Sequence, residues 1–247
     1  MKGLISIKKL LKITAAALLT VLILLISAFF LYTSIYYKAD DTVVIALNKD
    51  IKSGLAKEGQ HSIIIPARTQ TDTALIFYPG AKVEAEAYYP LLSQIAEQGI
   101  TCILVKMPFH LAVLDSSAAD GIIQDMPEIN NWYIGGHSMG GAMASSYMAS
   151  HPNSISGLIL LGAYPSGEID KKKALVLYGT RDGILSREKL EGAKNVIPIE
   201  GGNHAGFGNY GKQKGDGDAF IQEDDQQEIA VNAILKFIQE KEQEKSE

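Results

Sequence analysis

The stretch Asn131-Trp-Tyr-Ile-Gly-Gly-His-Ser-Met-Gly-Gly-Ala-Met-Ala144 decides the fold of this chain. Its first half, Asn131 to Gly135, reads as a strand, and the part from Met139 onward reads as a helix, which leaves Gly136-His137-Ser138-Met139-Gly140 in the turn between them. A serine on so tight a strand-to-helix turn holds its hydroxyl in the open. The flanking glycines follow, because a β-carbon two residues away on either side would obstruct the crowded backbone. Gly140, Gly141, Ala142 and Ala144 keep the helix slim enough to press on a sheet, and its first amides put positive potential near Ser138. The plainer alternative is that Ser138 only caps the helix.

Outward from this turn, apolar runs alternate with amphipathic segments. Strands are expected at Thr42 to Leu47, His61 to Ile65, Ala74 to Tyr78, Thr101 to Lys106, Asn131 to Ile134, Gly157 to Leu161, Ala174 to Tyr178 and Val196 to Ile199. Several are unbroken Val, Ile and Leu, the pattern of strands covered on both faces. An α/β fold follows, with a mostly parallel sheet and helices on both faces. Helices are expected at Val83 to Gln98, Leu111 to Gln124, Met139 to Ser150, Arg187 to Ala193 and Glu223 to Glu240; in the last, Ile229, Ala233 and Phe237, with Ile234 and Ile238, give one buried face. Residues 241–247 read as a frayed polar tail. No repeat or second boundary interrupts residues 42–240, which are read as one domain, large enough to stand without disulfide staples. The single Cys102 lies in an apolar run and reads as a small core residue.

Gly-Gly-His-Ser-Met-Gly-Gly at residues 135–141 resembles the nucleophile elbow of the α/β-hydrolases. The likeness is closest to their small, lidless fold-five branch near the dienelactone hydrolases. It extends to Ile76-Phe-Tyr-Pro-Gly80, Val105-Lys-Met-Pro-Phe109 and Gly201-Gly-Asn-His-Ala-Gly206. Where the dienelactone hydrolases carry Cys, this chain carries Ser138. The resemblance implies an α/β-hydrolase fold and a triad in the order Ser, acid, His.

A serine hydroxyl is a weak nucleophile and needs a general base, usually a His oriented by a carboxylate. Only His151 and His204 lie downstream of Ser138. His151 ends the helix that Ser138 begins, about 18 Å away at 1.5 Å per residue, and cannot reach. His204 follows the last strand in a glycine-rich loop, at the carboxyl end of the sheet where open α/β folds place their sites, and is the expected base. His137 is expected to point away from the nucleophile, His61 belongs to an early strand, and His110 is expected to line the pocket. Asp182, directly after the strand ending at Tyr178, is the expected acid, where the resemblance also places it; Asp170 and Glu168 are the fallback. One oxyanion donor is expected at the backbone N–H of Met139. Pro79 has no N–H and Gly80 allows close approach to substrate; by analogy with the family's His-Gly-x loop the second donor is Ala81, although Tyr78-Pro79 stands in place of the His.

The N-terminus carries a separate signal. Ile13 to Tyr37 is a stretch of 25 residues without charge, preceded by Lys2, Lys8, Lys9 and Lys12 and closed by Tyr32, Tyr36 and Tyr37. That is a basic flank over residues 1–12 and a transmembrane anchor over 13–37, with the N-terminus inside and the body extracytoplasmic. A cleaved signal peptide would have a shorter apolar region and a small-residue cleavage site, which Ser27-Ala28-Phe29-Phe30 does not match. Removing those four lysines leaves 19 basic against 28 acidic residues, so the body is acidic. With no basic stripe, nucleic acid is not an expected partner.

Asp216, Asp218 and Glu223 lack the spacing of a calcium loop and read as a solvated loop. No zinc or phosphate motif appears, so neither a metal nor a cofactor is expected. The chain therefore reads as a single-pass serine esterase acting on small ester-type substrates. A membrane-tethered binding protein that kept the fold and lost activity is the alternative, and acyl transfer, thioester or lactone chemistry would use the same residues. The connection Gly162 to Lys173 is too short for a cap, which favours compact acyl groups. Oligomeric state is not legible.

Overall fold

The computed structural model describes residues 7–69 and 71–246; the side chains of Ile7, Lys8 and Ser246 are not described. Lys2 of the basic flank and Glu247 of the tail lie outside the described residues. The chain forms two compact units, Met1–Tyr36 and Tyr37–Glu247.

The described part of the first unit is one helix, α1, Ile7–Ser34, which starts earlier and ends earlier than the charge-free run. Its segment Lys9–Ser34 is long and apolar enough to cross a membrane. The hydroxyls of Thr14 and Thr20 donate to the carbonyls of Leu10 and Ala16, each at 3.0 Å, so these polar side chains are satisfied within the helix itself.

The second unit opens with Tyr37, whose N–H donates to the Lys82 carbonyl and whose carbonyl accepts from Glu84, in a parallel bridge with Val83. The strand expected at Thr42 to Leu47 is instead helix α2, Asp41–Ser53. Val43 and Leu47, four apart, are both buried, with Ile51 packed beside them, and Gly54 ends the helix in a left-handed conformation. The apolar run was read with a strand's period although the buried positions repeat every four residues.

Eight strands form one sheet: β1 (Lys57–Glu58), β2 (Ser62–Ile65), β3 (Thr73–Tyr78), β4 (Thr101–Val105), β5 (Asn131–His137), β6 (Gly157–Leu161), β7 (Ala174–Gly179) and β8 (Asn195–Ile199). Their order is β1-β2-β4-β3-β5-β6-β7-β8. β2 pairs antiparallel with both β1 and β4, and all the other pairs, from β4 across to β8, are parallel. Leaving β3, the chain goes first to β4 on one side and then crosses to β5 on the other, which makes the carboxyl ends of β3 and β5 the switch point where such sheets open a crevice.

Alternate strand residues feed two cores. Leu75, Phe77, Leu104, Tyr133, Ile159 and Leu177 pack with α2, α3 (Tyr89–Glu97) and α6 (Glu223–Ser246), while Ile76, Ile103, Trp132, Ile134, Leu160 and Val176 face α4 (Ala119–Asp125) and α5 (Met139–Ser150). Both faces of the sheet are thus covered, as the unbroken apolar runs require. α6 does not fray at Glu240 but continues to Ser246, where Lys245 donates to Asn131 Oδ1 at 2.8 Å and to Ser156 Oγ at 2.7 Å. The segment expected as a helix from Arg187 is only a 3-10 turn, Arg187–Leu190. Likewise Val83 to Gln98 begins as a 3-10 turn, Ala85–Tyr88, and Leu111 to Gln124 becomes a 3-10 turn, Ala112–Leu114, followed by the short α4.

No cap intervenes between β6 and β7 among the described residues. Ser145 of α5 accepts from the Ser166 N–H at 2.8 Å and donates to its carbonyl at 2.7 Å, which pins the connection down on the helix that follows Ser138.

Candidate active site

Ser138 sits between β5 and α5 with φ 52° and ψ −119°. A non-glycine residue there stores strain of about 1–3 kcal/mol. The two glycines of the turn permit it by close approach. A β-carbon on Gly140 would fall 2.1 Å from the Tyr78 carbonyl oxygen, and one on Gly136 would fall 2.5 Å from the Gly140 carbonyl carbon. The turn is therefore wedged against the end of β3.

Asp182 follows β7 and His204 follows β8, and the structure brings them together: His204 Nδ1 lies 2.8 Å from Asp182 Oδ2, with both side chains buried. The other carboxylate oxygen, Oδ1, accepts the N–H groups of Ile184 and Leu185, each at 2.8 Å. Burial works against the charged carboxylate, but the hydrogen bond and charge of His204 and the two amides outweigh it and hold its pKa below the ordinary value. Asp182 thereby fixes the proton of His204 on Nδ1 and leaves Nε2 as the acceptor, buried and without a hydrogen-bond partner among the described residues.

The histidine loop is held by two side chains that sequence reading passed over. Asp216, expected to be solvated, accepts from His204 N at 3.1 Å, Ala205 N at 2.8 Å, Gly183 N at 3.1 Å and Gly217 N at 2.8 Å, so one carboxylate ties the loop of Asp182 to the loop of His204. Gln226 of α6 accepts the Asn203 N–H at 2.9 Å and donates to its carbonyl at 2.8 Å.

His137 is fully buried, and its ring packs on that of His204 with the centroids 4.4 Å apart. Its Nδ1 is 2.8 Å from Tyr88 Oη, which accepts the Gly80 N–H at 3.1 Å. Burial and the adjacent His204 hold His137 neutral, well below the ordinary histidine pKa. Gly80 is thus turned inward: its N–H is used by Tyr88, and a β-carbon on it would lie 2.7 Å from His137 Nδ1. Within the protein, the close approach expected at this glycine is made by His137 and Tyr88. Its neighbour Ala81 and the first helical residue Met139 bear N–H groups for which there is no protein acceptor among the described residues.

His110, at φ 57°, accepts the Lys82 N–H on its carbonyl at 2.7 Å, binding the loop after β4 to the loop after β3. With Pro79, Glu84, Lys106 and Met107 it lines a cavity of about 160 Å³, and burial lowers its pKa against the opposing pull of Glu84 and Glu86. The remaining candidates lie elsewhere. His151 stacks on Tyr147 at the far end of α5, with centroids 4.2 Å apart; Asp170 accepts the Lys172 N–H at 2.9 Å at the amino end of β7; and His61 precedes β2. No group of side chains suited to a metal ion occurs among the described residues.

The last contributor is Gly162, the first residue after β6. At φ 52°, a β-carbon on it would lie 2.9 Å from His204 Nδ1 and 3.3 Å from Asp182 Oδ2. The sequence offered one signal for it, a glycine directly following a buried strand.

Comparison with known proteins agrees with this architecture. Residues 74–228 match the family described as Alpha/beta hydrolase family. A putative non-heme haloperoxidase of Mycobacterium phage D29 is 30% identical over 102 residues, which cover 38% of this chain and 37% of that protein. The match therefore spans little more than a third of the relative's length. Among solved structures, Est1E from Butyrivibrio proteoclasticus superposes with a TM-score of 0.54 at 14% identity, covering 72% of this chain and 93% of its own. A soluble variant of monoglyceride lipase from Saccharomyces cerevisiae gives 0.54 at 11% identity, covering 75% and 94%. At these identities the likeness speaks for the fold alone. The family match extends over well more than half of the sequence, from β3 into α6 and through the elbow, and on that ground this chain belongs to the α/β-hydrolase family.

Proposed function

We propose that this protein is a membrane-anchored serine hydrolase that cleaves carboxylic esters of small acyl groups. Ser138 Oγ attacks the ester carbonyl while His204 Nε2 takes its proton. Asp182 stabilises the imidazolium that forms. The oxyanion is met by the N–H groups of Met139 and Ala81; removing one such donor costs about 10²–10³ in rate. His204 then protonates the departing alkoxide, and the acyl-enzyme is released by a water that His204 deprotonates in turn. His110 and the small cavity beside it would receive part of the substrate.

The observation that carries this reading is the buried 2.8 Å contact between His204 and Asp182, which leaves Nε2 unpartnered. The backbone of Ser138 favours it over an inert binding protein, because left-handed strain at a serine is retained where the hydroxyl is needed. A fluorophosphonate should label the protein, and Ser138→Ala should abolish labelling and ester turnover while leaving the fold intact. Undiminished turnover in that variant would end the proposal.

For α1 we propose a signal-anchor, with its lysines inside and the catalytic domain extracytoplasmic. The full chain should resist an alkaline carbonate wash of membranes, and protease added to intact cells should reach the domain; protection would reverse the orientation.

A further inference from the structure

The hydrolase domain takes up the chain at its active-site face. Tyr37 pairs with Lys82 to Glu84, the residues directly after Ala81. On the other side, Tyr37 Oη accepts the Lys214 N–H at 3.0 Å, and Asp40 N donates to the Asn209 carbonyl at 2.9 Å, both in the segment that follows His204. The first residues of the domain are therefore held between the loop of Ala81 and the loop of the base. Only Ile35 and Tyr36 separate Tyr37 from Ser34, the last residue of α1, a reach of about 10 Å fully extended.

Beside this point the loop after β4 carries apolar side chains into solvent. Phe109, Val113 and Leu114 are 44%, 54% and 48% exposed. The loop is fastened to the same region, through Lys82 N to the His110 carbonyl and through Tyr78 Oη, which donates to the Ser116 carbonyl at 3.1 Å. Three large apolar residues exposed within six positions would be costly for a surface that meets only water.

We propose that this face rests on the bilayer that holds α1, with Phe109, Val113 and Leu114 dipping into its interfacial layer, and that the enzyme takes esters from amphiphiles lying in that bilayer. The proposal rests on reading α1 as an anchor and deepens the esterase reading by naming the substrate's source. It also answers how a site without a roof could accept a lipid. The reacting ester and its small acyl group need only reach the depth of the headgroups, while the apolar remainder of the amphiphile stays buried in the membrane instead of in the protein.

Cys102 is the sole cysteine and is fully buried, so a cysteine added on the surface can be labelled selectively. The full-length Leu114→Cys protein, carrying an environment-sensitive fluorophore, would be reconstituted into vesicles of phosphatidylcholine and phosphatidylglycerol containing lipid spin-labelled near the headgroup. The label should lose most of its emission to the spin-labelled lipid. A label at Lys172→Cys, exposed at the amino end of β7 and thus on the opposite edge of the sheet, should keep it. Val113→Cys repeats the test should Leu114→Cys misfold. Equal quenching at both edges, or none at position 114 in protein that floats with the vesicles, overturns the proposal. Protein that does not float overturns the anchor reading and the proposal with it, whereas fluorophosphonate labelling of the same sample reports separately on the serine chemistry.

Discussion

Gly162→Ala tests the proposed triad through a residue to which the proposal gives no part in the chemistry. At φ 52° an alanine is strained by about 1–2 kcal/mol. Its β-carbon would lie 2.9 Å from His204 Nδ1 and 3.0 Å from Cε1, so ordinary contact requires the ring or the β6–β7 connection to yield by about half an ångström. The backbone has little freedom, because the Gly162 N–H is committed to the Leu177 carbonyl at 2.8 Å. Catalytic groups tolerate roughly 0.5 Å before geometry is lost, and a 1 Å error costs about 10²-fold. The expected loss in kcat is therefore on the order of 10- to 100-fold, with Tm lower by roughly 2–8 °C. Gly167→Ala is the control: it too lies at positive φ, 81°, but its added carbon meets only the Ala149 side chain, so Tm should fall without loss of kcat. Rates would be read from ester turnover and from the rate of fluorophosphonate labelling, and Tm by calorimetry. Wild-type rates in a Gly162→Ala protein of lowered Tm would refute the placement of the base.

Asp182→Asn should reduce kcat by about 10⁴-fold, as when a triad acid loses its charge, while Asp170→Asn, whose carboxylate accepts the Lys172 amide, should leave kcat unchanged; the reverse pattern would move the acid. His137 is neutral in the fold, and an unfolded histidine takes up its proton near pH 6.5, so below that pH the unfolded state binds more protons and stability falls with acidification, by up to about 1.4 kcal/mol per pH unit. Half-buried His110 adds in the same direction, whereas Asp182, with its pKa lowered, adds its own loss only below about pH 4. Denaturant titrations from pH 7 to 5 should show this slope, and His137→Gln should reduce it; an unchanged slope would place the proton elsewhere. On the domain from Tyr37 onward, freed of α1, kcat/KM for p-nitrophenyl esters should peak at short acyl groups, because each methylene left in water forfeits about 0.8 kcal/mol, nearly fourfold in binding. A peak above ten carbons would mean that the protein buries the chain by itself.

The parallel strands and the elbow were legible because their signals are local. β6 and β7 are unbroken apolar runs and β3 and β5 carry polar side chains only at their ends, while Gly136 and Gly140 are dictated by contacts within that turn and with the adjoining end of β3. α2 failed for the opposite reason. Five apolar residues in a row fit either period, and the choice between them was made by which side chains meet α3 and the sheet.

What the residues around Asp182 and His204 do depends on partners distant in sequence. An aspartate in Gly215-Asp-Gly-Asp218 looks like any solvated loop acid, and only the fold sets it against the amides of Gly183 and His204, respectively 33 and 12 residues away. The sequence marks His137 as part of the elbow, but its contacts with Tyr88 and His204 arise from the meeting of three separate connections. A side chain's chemical type can therefore nominate it for a role, as it did Ser138, Asp182 and His204, because nucleophile, acid and base must be particular residues. Supporting positions carry no such demand. Any acceptor placed where Asp216 lies could tie the two loops together, so its identity says little until its neighbours are known. The same asymmetry holds for Gly80: glycine signals close approach, but not to what, and within the protein the approaching groups are His137 and Tyr88.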